Sequence, residues 1–196
     1  MDRVNRCLVN GIPHYTAIAE RGIALYQSEG LQLQTPRRLP IKQRAVRSAV
    51  EYLRWHERGR SFLDGAAFYR NQNNAPMAAL LLHQACEHFY QCVLWTLTLH
   101  GPRSHALDEL REAAERLDRR LSEAWPRNTP FERRAFGCVR RAYLEARYGQ
   151  HYQISPGELS WAFECVEALQ FNTMRACVTH WSSLCFIPTV PRLSPP

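Results

Sequence analysis

Two side chains in the C-terminal half of the chain have the chemistry to act on a phosphate group. Arg147 keeps its charge at any physiological pH, and His151 can exchange a proton near neutrality. Three residues separate them in the sequence. A cation and a proton carrier are what metal-free cleavage of a phosphodiester needs. In an unbroken helix both would share one face, but Gly149 lies between them and is predicted to end the helix.

Arg147 also allows a simpler interpretation. Glu145 lies two residues before it, so the arginine could serve only to anchor the helix end through an ion pair. The alternative is that its planar guanidinium holds a phosphate through two parallel hydrogen bonds. Both interpretations place Arg147 in the last helical turn, and phosphate contact is the favoured one.

His83 and Glu87 are one helical turn apart, a spacing at which an imidazole and a carboxylate can hold a metal ion. No third ligand is evident, and the HExxH motif of zinc enzymes does not occur. Buried hydrogen bonds in a bundle or a dimer interface are the favoured interpretation, and no metal site is predicted. His105, after the candidate cap Ser104, is predicted to close a turn against the same helix.

Composition narrows the class of protein. The 196 residues carry a formal net charge of +7, almost entirely from arginine. Residues 37–70 hold nine basic and three acidic side chains, which suits phosphate or nucleic acid, although a solvated helix face explains it equally well. Seven cysteines without a CxxC pair predict reduced thiols in a cytoplasmic protein. Neither a signal peptide nor a membrane span is predicted.

The element that must position these residues is a helix over residues 78–95. Apolar residues occupy most of its circumference, which is typical of a helix contacted on several sides. A long helix is predicted before it, over residues 41–70, and Gly59 is a candidate break because glycine weakens helices. The stripe of this helix predicted to face the core comprises Val46, Val50, Leu53, Phe62, Ala66 and Tyr69.

Three further helices follow the central one. The first is predicted to begin after Ser104. Residues 129–132, TPFE, and 155–158, SPGE, each combine a capping box with proline at the first helical position, and they open the other two. Five helices with short connections predict an all-α, up-and-down antiparallel bundle.

The chain divides into three regions. Residues 1–40 are predicted to form an appendage with a short helical piece, a strand at about residues 22–27 and a linker between two prolines. Residues 41–178 form the bundle. Residues 179–196 are predicted to form a proline-rich, disordered tail.

Two stretches carry more information than periodicity. One is LLHQACEHFYQCVL, residues 81–94, followed by SHAL at residues 104–107, and the other is AYLEARYGQHYQIS, residues 142–155. In order and spacing they resemble the HEPN family, the higher-eukaryote and prokaryote nucleotide-binding domain, over residues 44–175. The subgroup they resemble is found in sacsin and in bacterial fusions to a minimal nucleotidyltransferase.

This resemblance implies a helical bundle that usually dimerises. Some members are ribonucleases with an arginine, a short spacer and a histidine, whereas others lack that motif and bind nucleotides. Arg147 and His151 are too close together for the ribonuclease pattern, but Arg147 and Tyr152 resemble members with tyrosine in the histidine position. Catalytic roles are expected of Arg147 and His151 only in a ribonuclease. Nucleotide or phosphate contacts are expected from Arg147, Tyr148, Tyr152, Arg141, His83 and Glu87.

The beginning of the chain adds to this resemblance. Residues 22–39, GIALYQSEGLQLQTPRRL, are similar to the end of a minimal nucleotidyltransferase and its linker to HEPN. Such a transferase needs a Gly-Ser turn for the phosphates and paired aspartates for Mg²⁺. The chain has neither a Gly-Ser pair nor Asp-x-Asp. The resemblance therefore implies a truncated fusion that keeps the HEPN half and lacks the active site of the transferase.

Three functions remain open from the sequence. The favoured one is a non-enzymatic HEPN protein that binds ATP, GTP or an RNA phosphate in a basic cleft, as a homodimer and without a cofactor. The second is a metal-independent ribonuclease toxin, neutralised by a separate nucleotidyltransferase partner. The third is an interaction bundle that holds no ligand.

Overall fold

The computed structural model describes residues 2–26, 30, 32–102, 104–149 and 151–185. Within these ranges the chain is all-α, as predicted, and forms seven α-helices and one 3-10 helix but no strand. The helices are α1 (Asp2–Val9), α2 (Pro13–Arg21), α3 (Ile41–Asn71), α4 (Ala75–Thr98), α5 (Leu107–Leu117), the 3-10 helix Arg119–Ala124, α6 (Pro130–Tyr148) and α7 (Pro156–Cys185).

Helix α4 is the centre of the bundle, as its apolar circumference predicted. It contacts α3, α5, α6 and α7, and its large side chains such as Leu82, Phe89 and Tyr90 are fully buried. The Asn74 side chain caps it by accepting a hydrogen bond from the Met77 amide at 3.2 Å. Polar residues of α4 are buried as well, so the core must satisfy them with hydrogen bonds.

Helix α3 runs unbroken past Gly59, so the break considered there does not occur. The prediction for its inner stripe is wrong at one end, since the three residues at the start of that stripe are mostly exposed. Their exposed fractions are 65% for Val46, 58% for Val50 and 55% for Leu53. The buried face instead carries Ser48, whose hydroxyl donates to the Thr96 carbonyl at 2.7 Å.

Helices α6 and α7 begin where their caps predict, and α6 also ends where predicted. Both capping boxes form: the Thr129 and Ser155 side chains accept hydrogen bonds from the amides three residues on. Helix α5 is shorter than expected, because the chain leaves the helix at Asp118 and continues as the 3-10 helix. Its cap also differs, since Ala106 rather than Ser104 precedes the helix.

The appendage is helical over α1 and α2 and extended after them. The strand predicted at about residues 22–27 is wrong over residues 22–26, and Gln27 lies outside the described residues. A lone strand has no partner for its backbone hydrogen bonds, so the segment stays irregular. Leu8 of α1 is buried, and its carbonyl accepts from the Arg37 amide at 3.0 Å.

The C-terminal helix is longer than the sequence predicts. Helix α7 continues to Cys185, so residues 179–185 are helical, and residues 186–196 lie outside the described part of the chain. Among the described side chains six cysteines are free thiols. No helix in the described part is long and apolar enough to cross a membrane.

Candidate functional site

The last two turns of α6 present the residues on which the sequence analysis concentrated. Tyr143 and Arg147 are four residues apart and therefore lie on one face of the helix. The helix ends at Tyr148, and the Gly149 amide donates to the Glu145 carbonyl at 2.8 Å, as the glycine predicted. Arg147 is exposed in the last turn, where the helix dipole also favours a cation.

The Arg147 guanidinium makes cation–π contacts with two aromatic rings. Its Cζ atom lies 5.2 Å from the ring centroid of Tyr143 and 5.1 Å from that of Tyr148. Among the described residues no carboxylate lies within ion-pair distance of Arg147, because Glu145 pairs with Arg141 at 3.3 Å. The anchoring ion pair between Arg147 and Glu145 is therefore not formed. Cation–π contact uses the face of the guanidinium and leaves its N–H edges able to donate.

Two histidines share the Tyr143 ring with Arg147. The ring centroid of His83 lies 5.1 Å from that of Tyr143 and the centroid of His105 lies 5.9 Å from it, both nearly parallel. Nδ1 of His105 donates to Oε1 of Glu87 at 2.8 Å. The His105 side chain is 67% exposed whereas Glu87 is 7% exposed, so a buried carboxylate orients a histidine at the surface.

His83 belongs to the core of this cluster. Its Nδ1 donates to the Val139 carbonyl at 3.1 Å, and its buried Nε2 has no hydrogen-bond partner among the described residues. Burial lowers the pKa of His83 more than the Val139 carbonyl and Glu87 raise it, so the imidazole is neutral at pH 7. The described residues include no cluster of histidine, cysteine or carboxylate side chains that could hold a metal.

Arg141 and Tyr152 lie on a different flank of α6. Tyr152 donates its hydroxyl proton to the Cys138 carbonyl at 3.0 Å, and burial raises its pKa. With Arg134 and Glu158 they line an open depression of about 570 Å³. The structure therefore separates these two residues from Arg147, Tyr148, His83 and Glu87, which the prediction grouped with them.

His151 does not join Arg147. It follows the end of α6 in an irregular segment, is exposed, and makes no side-chain hydrogen bond or ion pair to another described residue. The shared helical face considered for the two residues is therefore not formed. The residues that the sequence analysis missed are His105, which it treated as structural only, and Tyr143. The sequence could have indicated Tyr143 only through its spacing of four residues from Arg147, which puts both on one helix face. Contacts between different helices leave no local pattern in the sequence.

These six residues are named together as the Arg147 cluster: His83, Glu87, His105, Tyr143, Arg147 and Tyr148. The family model of the HEPN domain matches residues 52–170, from the middle of α3 to the middle of α7, and it includes the whole cluster. A comparison with curated proteins finds no match. Since the matched region covers more than half of the sequence, the chain belongs to the HEPN domain family.

Proposed function

We propose that the chain binds the phosphate group of a nucleotide or of RNA at Arg147. Membership of the HEPN domain family supports a nucleotide- or RNA-related function in general. The observation that carries the proposal is the guanidinium of Arg147, which makes cation–π contacts with two tyrosine rings and has no carboxylate partner among the described residues. A phosphate can accept two hydrogen bonds from that guanidinium in the geometry that arginine favours.

The surroundings of Arg147 fit the rest of such a ligand. Tyr148 is 73% exposed and has Arg147 over its ring, so a nucleobase can stack on the other face of that ring. The net charge of +7 attracts polyanions over distances set by the salt concentration. No step of this binding requires a metal ion or cofactor.

Calorimetric titration of the chain tests this function directly. We expect heat of binding with ATP, with GTP or with a short single-stranded RNA, and an affinity that falls as the salt concentration rises. A chain that gives no heat with any of the three ligands would contradict the proposal. The remaining function would then be that of an interaction bundle without a ligand.

Assembly as a homodimer is part of the proposal. HEPN domains often dimerise, and α3 exposes an apolar stripe of Val46, Val50 and Leu53 in the single chain. Burying such a stripe against a second copy would remove apolar surface from water.

We therefore expect a dimer in light scattering at micromolar concentration. Val50→Glu should give a monomer, because it places a charge in the middle of the buried stripe. Leu144→Glu, at a 62% exposed position of α6, is the matched control and should leave the dimer intact. A monomeric mass for the unmodified chain would rule out this part of the proposal.

Metal-independent RNA cleavage is the second candidate function, and the pairing of Glu87 with His105 favours it. Because Glu87 holds Nδ1–H, Nε2 of His105 is the atom that can accept a proton. In the cleavage, Nε2 takes the 2′-hydroxyl proton, the 2′-oxygen attacks phosphorus, and the 5′-oxygen leaves with a proton from water. Arg147 would neutralise the charge on the phosphate. Such a chain would be toxic when expressed, and a separate nucleotidyltransferase partner could neutralise it.

A fluorescent RNA assay separates this candidate from simple binding. If the chain cleaves RNA, His105→Asn should abolish cleavage while its amide still donates to Glu87 and preserves the fold. His151→Ala should leave cleavage unchanged, since His151 lies outside the Arg147 cluster. Intact RNA after long incubation with the unmodified chain would exclude cleavage and leave the binding proposal standing.

A further inference from the structure

A pocket of about 280 Å³ lies where the appendage meets the bundle. Helix α2, residues 37–39, the first turn of α3 and the end of α4 form its walls. It lies almost entirely outside the part of the chain that matches the HEPN family, since only the end of α4 falls within residues 52–170. The charged side chains that line it are Arg21, Arg37, Arg38, Arg44 and Glu20.

The arginines of this basic pocket are mostly uncompensated. Glu20 pairs with Arg38, with Oε1 lying 3.6 Å from Nε. Within the described part of the chain, no carboxylate lies in ion-pair distance of Arg21, Arg37 or Arg44. Four cations and one carboxylate therefore leave a concave surface with three excess positive charges. Repulsion among them disfavours this arrangement unless an anion binds.

One wall of the pocket has a fixed backbone. Gly11, between α1 and α2, has a φ of +61°, and a Cβ there would lie 2.7 Å from the Arg37 carbonyl oxygen. This close approach, together with the hydrogen bond from the Arg37 amide to Leu8, ties residues 37–39 to the turn. The backbone of residues 37–39 therefore forms a fixed wall of the pocket, from which the exposed side chains of Arg37 and Arg38 extend.

The charge of two of the pocket's arginines, Arg21 and Arg44, also acts on histidines outside its lining. Burial lowers the pKa of His100, and the neighbouring His14 and Arg21 lower it further. Burial also lowers the pKa of His180, and the charge of Arg44 lowers it further. In both cases a nearby cation disfavours the imidazolium, which is consistent with arginines that lack counter-charges.

We propose that this pocket is a second phosphate-binding site, one that takes two or more linked phosphate groups. Arginines on several elements can grip several phosphate oxygens, as one isolated arginine cannot. The volume is just below the range of about 300–1,000 Å³ typical of ligand pockets, and none of its described lining residues is aromatic. It therefore suits a chain of phosphates whose base lies outside. The 5′-phosphates of a nucleotide and the backbone of an RNA strand both supply that chemistry.

The test is a pair of substitutions in the full chain. Arg21→Gln with Arg44→Gln removes two of the uncompensated cations, and both side chains are exposed, so the fold should be unaffected. Affinity is measured for inorganic tripolyphosphate, for ATP and for a 12-nucleotide single-stranded RNA. We expect at least about a tenfold loss with the ligand that the site takes. For RNA, the slope of log affinity against log salt should also fall by about 1.4, the effect of two phosphate contacts.

A charge-matched variant makes the test specific. Arg60→Gln with Arg116→Gln removes the same charge from exposed arginines paired with Asp64 and Glu112, away from the pocket. A loss of affinity for tripolyphosphate and ATP would assign the site to a free nucleotide. A loss of affinity for RNA alone would assign it to an RNA strand. Unchanged affinity for all three ligands, or an equal loss in the charge-matched variant, would overturn the proposal. Both pairs of substitutions are also made in an Arg147→Ala background, so that binding at Arg147 can neither mask nor mimic a loss at the pocket.

Discussion

Replacing Arg147 with alanine is expected to weaken binding of ATP, GTP or short RNA by about 1.5 to 3 kcal/mol, which is roughly 10- to 150-fold. That range is the usual worth of a hydrogen bond to a charged group. The loss of stability should be at most about 2 kcal/mol, because each of its two cation–π contacts contributes about 0.5 to 1 kcal/mol at an exposed site. Calorimetric titration and a melting curve of the same sample measure the two effects separately.

Lysine at the same position distinguishes binding of a phosphate through two parallel hydrogen bonds from attraction by positive charge alone. Arg147→Lys keeps the positive charge but loses the planar pair of donors, so we expect it to recover only part of the affinity. If Arg147 served only to pack against Tyr143 and Tyr148, both substitutions would change the melting temperature and leave the affinity of the folded chain unchanged.

Two controls frame this measurement. Arg116→Ala removes an exposed arginine of α5 that pairs with Glu112 at 3.3 Å, and it reports the effect of losing one charge anywhere on the surface. His151→Ala should have little effect on binding, because His151 lies outside the Arg147 cluster. Losses as large as that of Arg147→Ala in either control would contradict a specific role for Arg147.

Much of the fold follows from local sequence signals. The apolar circumference of α4 predicted its central position, because only a helix covered on several sides can hide that much apolar surface. The capping boxes at Thr129 and Ser155 located the starts of α6 and α7 to the residue. Gly149 likewise ended α6 as predicted. These signals succeed because a cap is decided by residues within one turn.

The candidate site was only partly predictable, because it is assembled between elements. Arg147, His83 and Glu87 could be singled out by residue type, but nothing in the sequence places Tyr143 of α6 beside His83 of α4. His105 could be predicted to contact α4, yet its proximity to Arg147 depends on the Tyr143 ring that both contact. The same limit separated Arg141 and Tyr152 from the cluster, since Arg141 lies on another face of α6 and Tyr152 follows the end of that helix.

Helix α3 gives the clearest case in which composition predicts the wrong face. Its first half carries an apolar stripe that includes Val50, and a second stripe that includes Ser48 and Gly59. Hydrophobicity favours burial of the stripe with Val50, but the stripe with Ser48 and Gly59 is the buried one. There the Ser48 hydroxyl donates to the Thr96 carbonyl of α4 and accepts a hydrogen bond from Nε1 of Trp181 at 2.8 Å. Periodicity identifies stripes, and only the partner helix decides which of them is covered.

Gly59→Ala is expected to destabilise the chain, although alanine is the better helix former. A Cβ at this position would lie 2.7 to 3.1 Å from three atoms of the Phe89 ring, which is fully buried in α4. Overpacking of a core costs about 1 to 3 kcal/mol, and the gain in helix propensity is about 1 kcal/mol. The net result should be a loss of up to about 2 kcal/mol in the free energy of unfolding, measured by urea denaturation at one protein concentration.

Gly65→Ala, in the same helix, is the matched control and should have the opposite sign. A Cβ there meets only the Cδ1 atom of Leu81 at 3.1 Å, the end of a flexible and partly exposed side chain. Leu81 can rotate away, so the helix propensity of alanine should dominate and stabilise the chain by up to about 1 kcal/mol. Equal effects of the two substitutions would show that glycine acts at both sites through the unfolded chain alone.

A double-mutant cycle with Phe89 isolates the contact itself. Phe89→Leu removes the ring atoms that crowd position 59, and by itself it should destabilise the core. In that background Gly59→Ala should cost less than in the unmodified chain, because a leucine can vacate the space that the Cβ needs. If the cost were the same in both backgrounds, Phe89 would not be the reason for glycine at this position. A coupling of about 1 kcal/mol or more would instead show that Gly59 is needed for the close packing of α3 on α4.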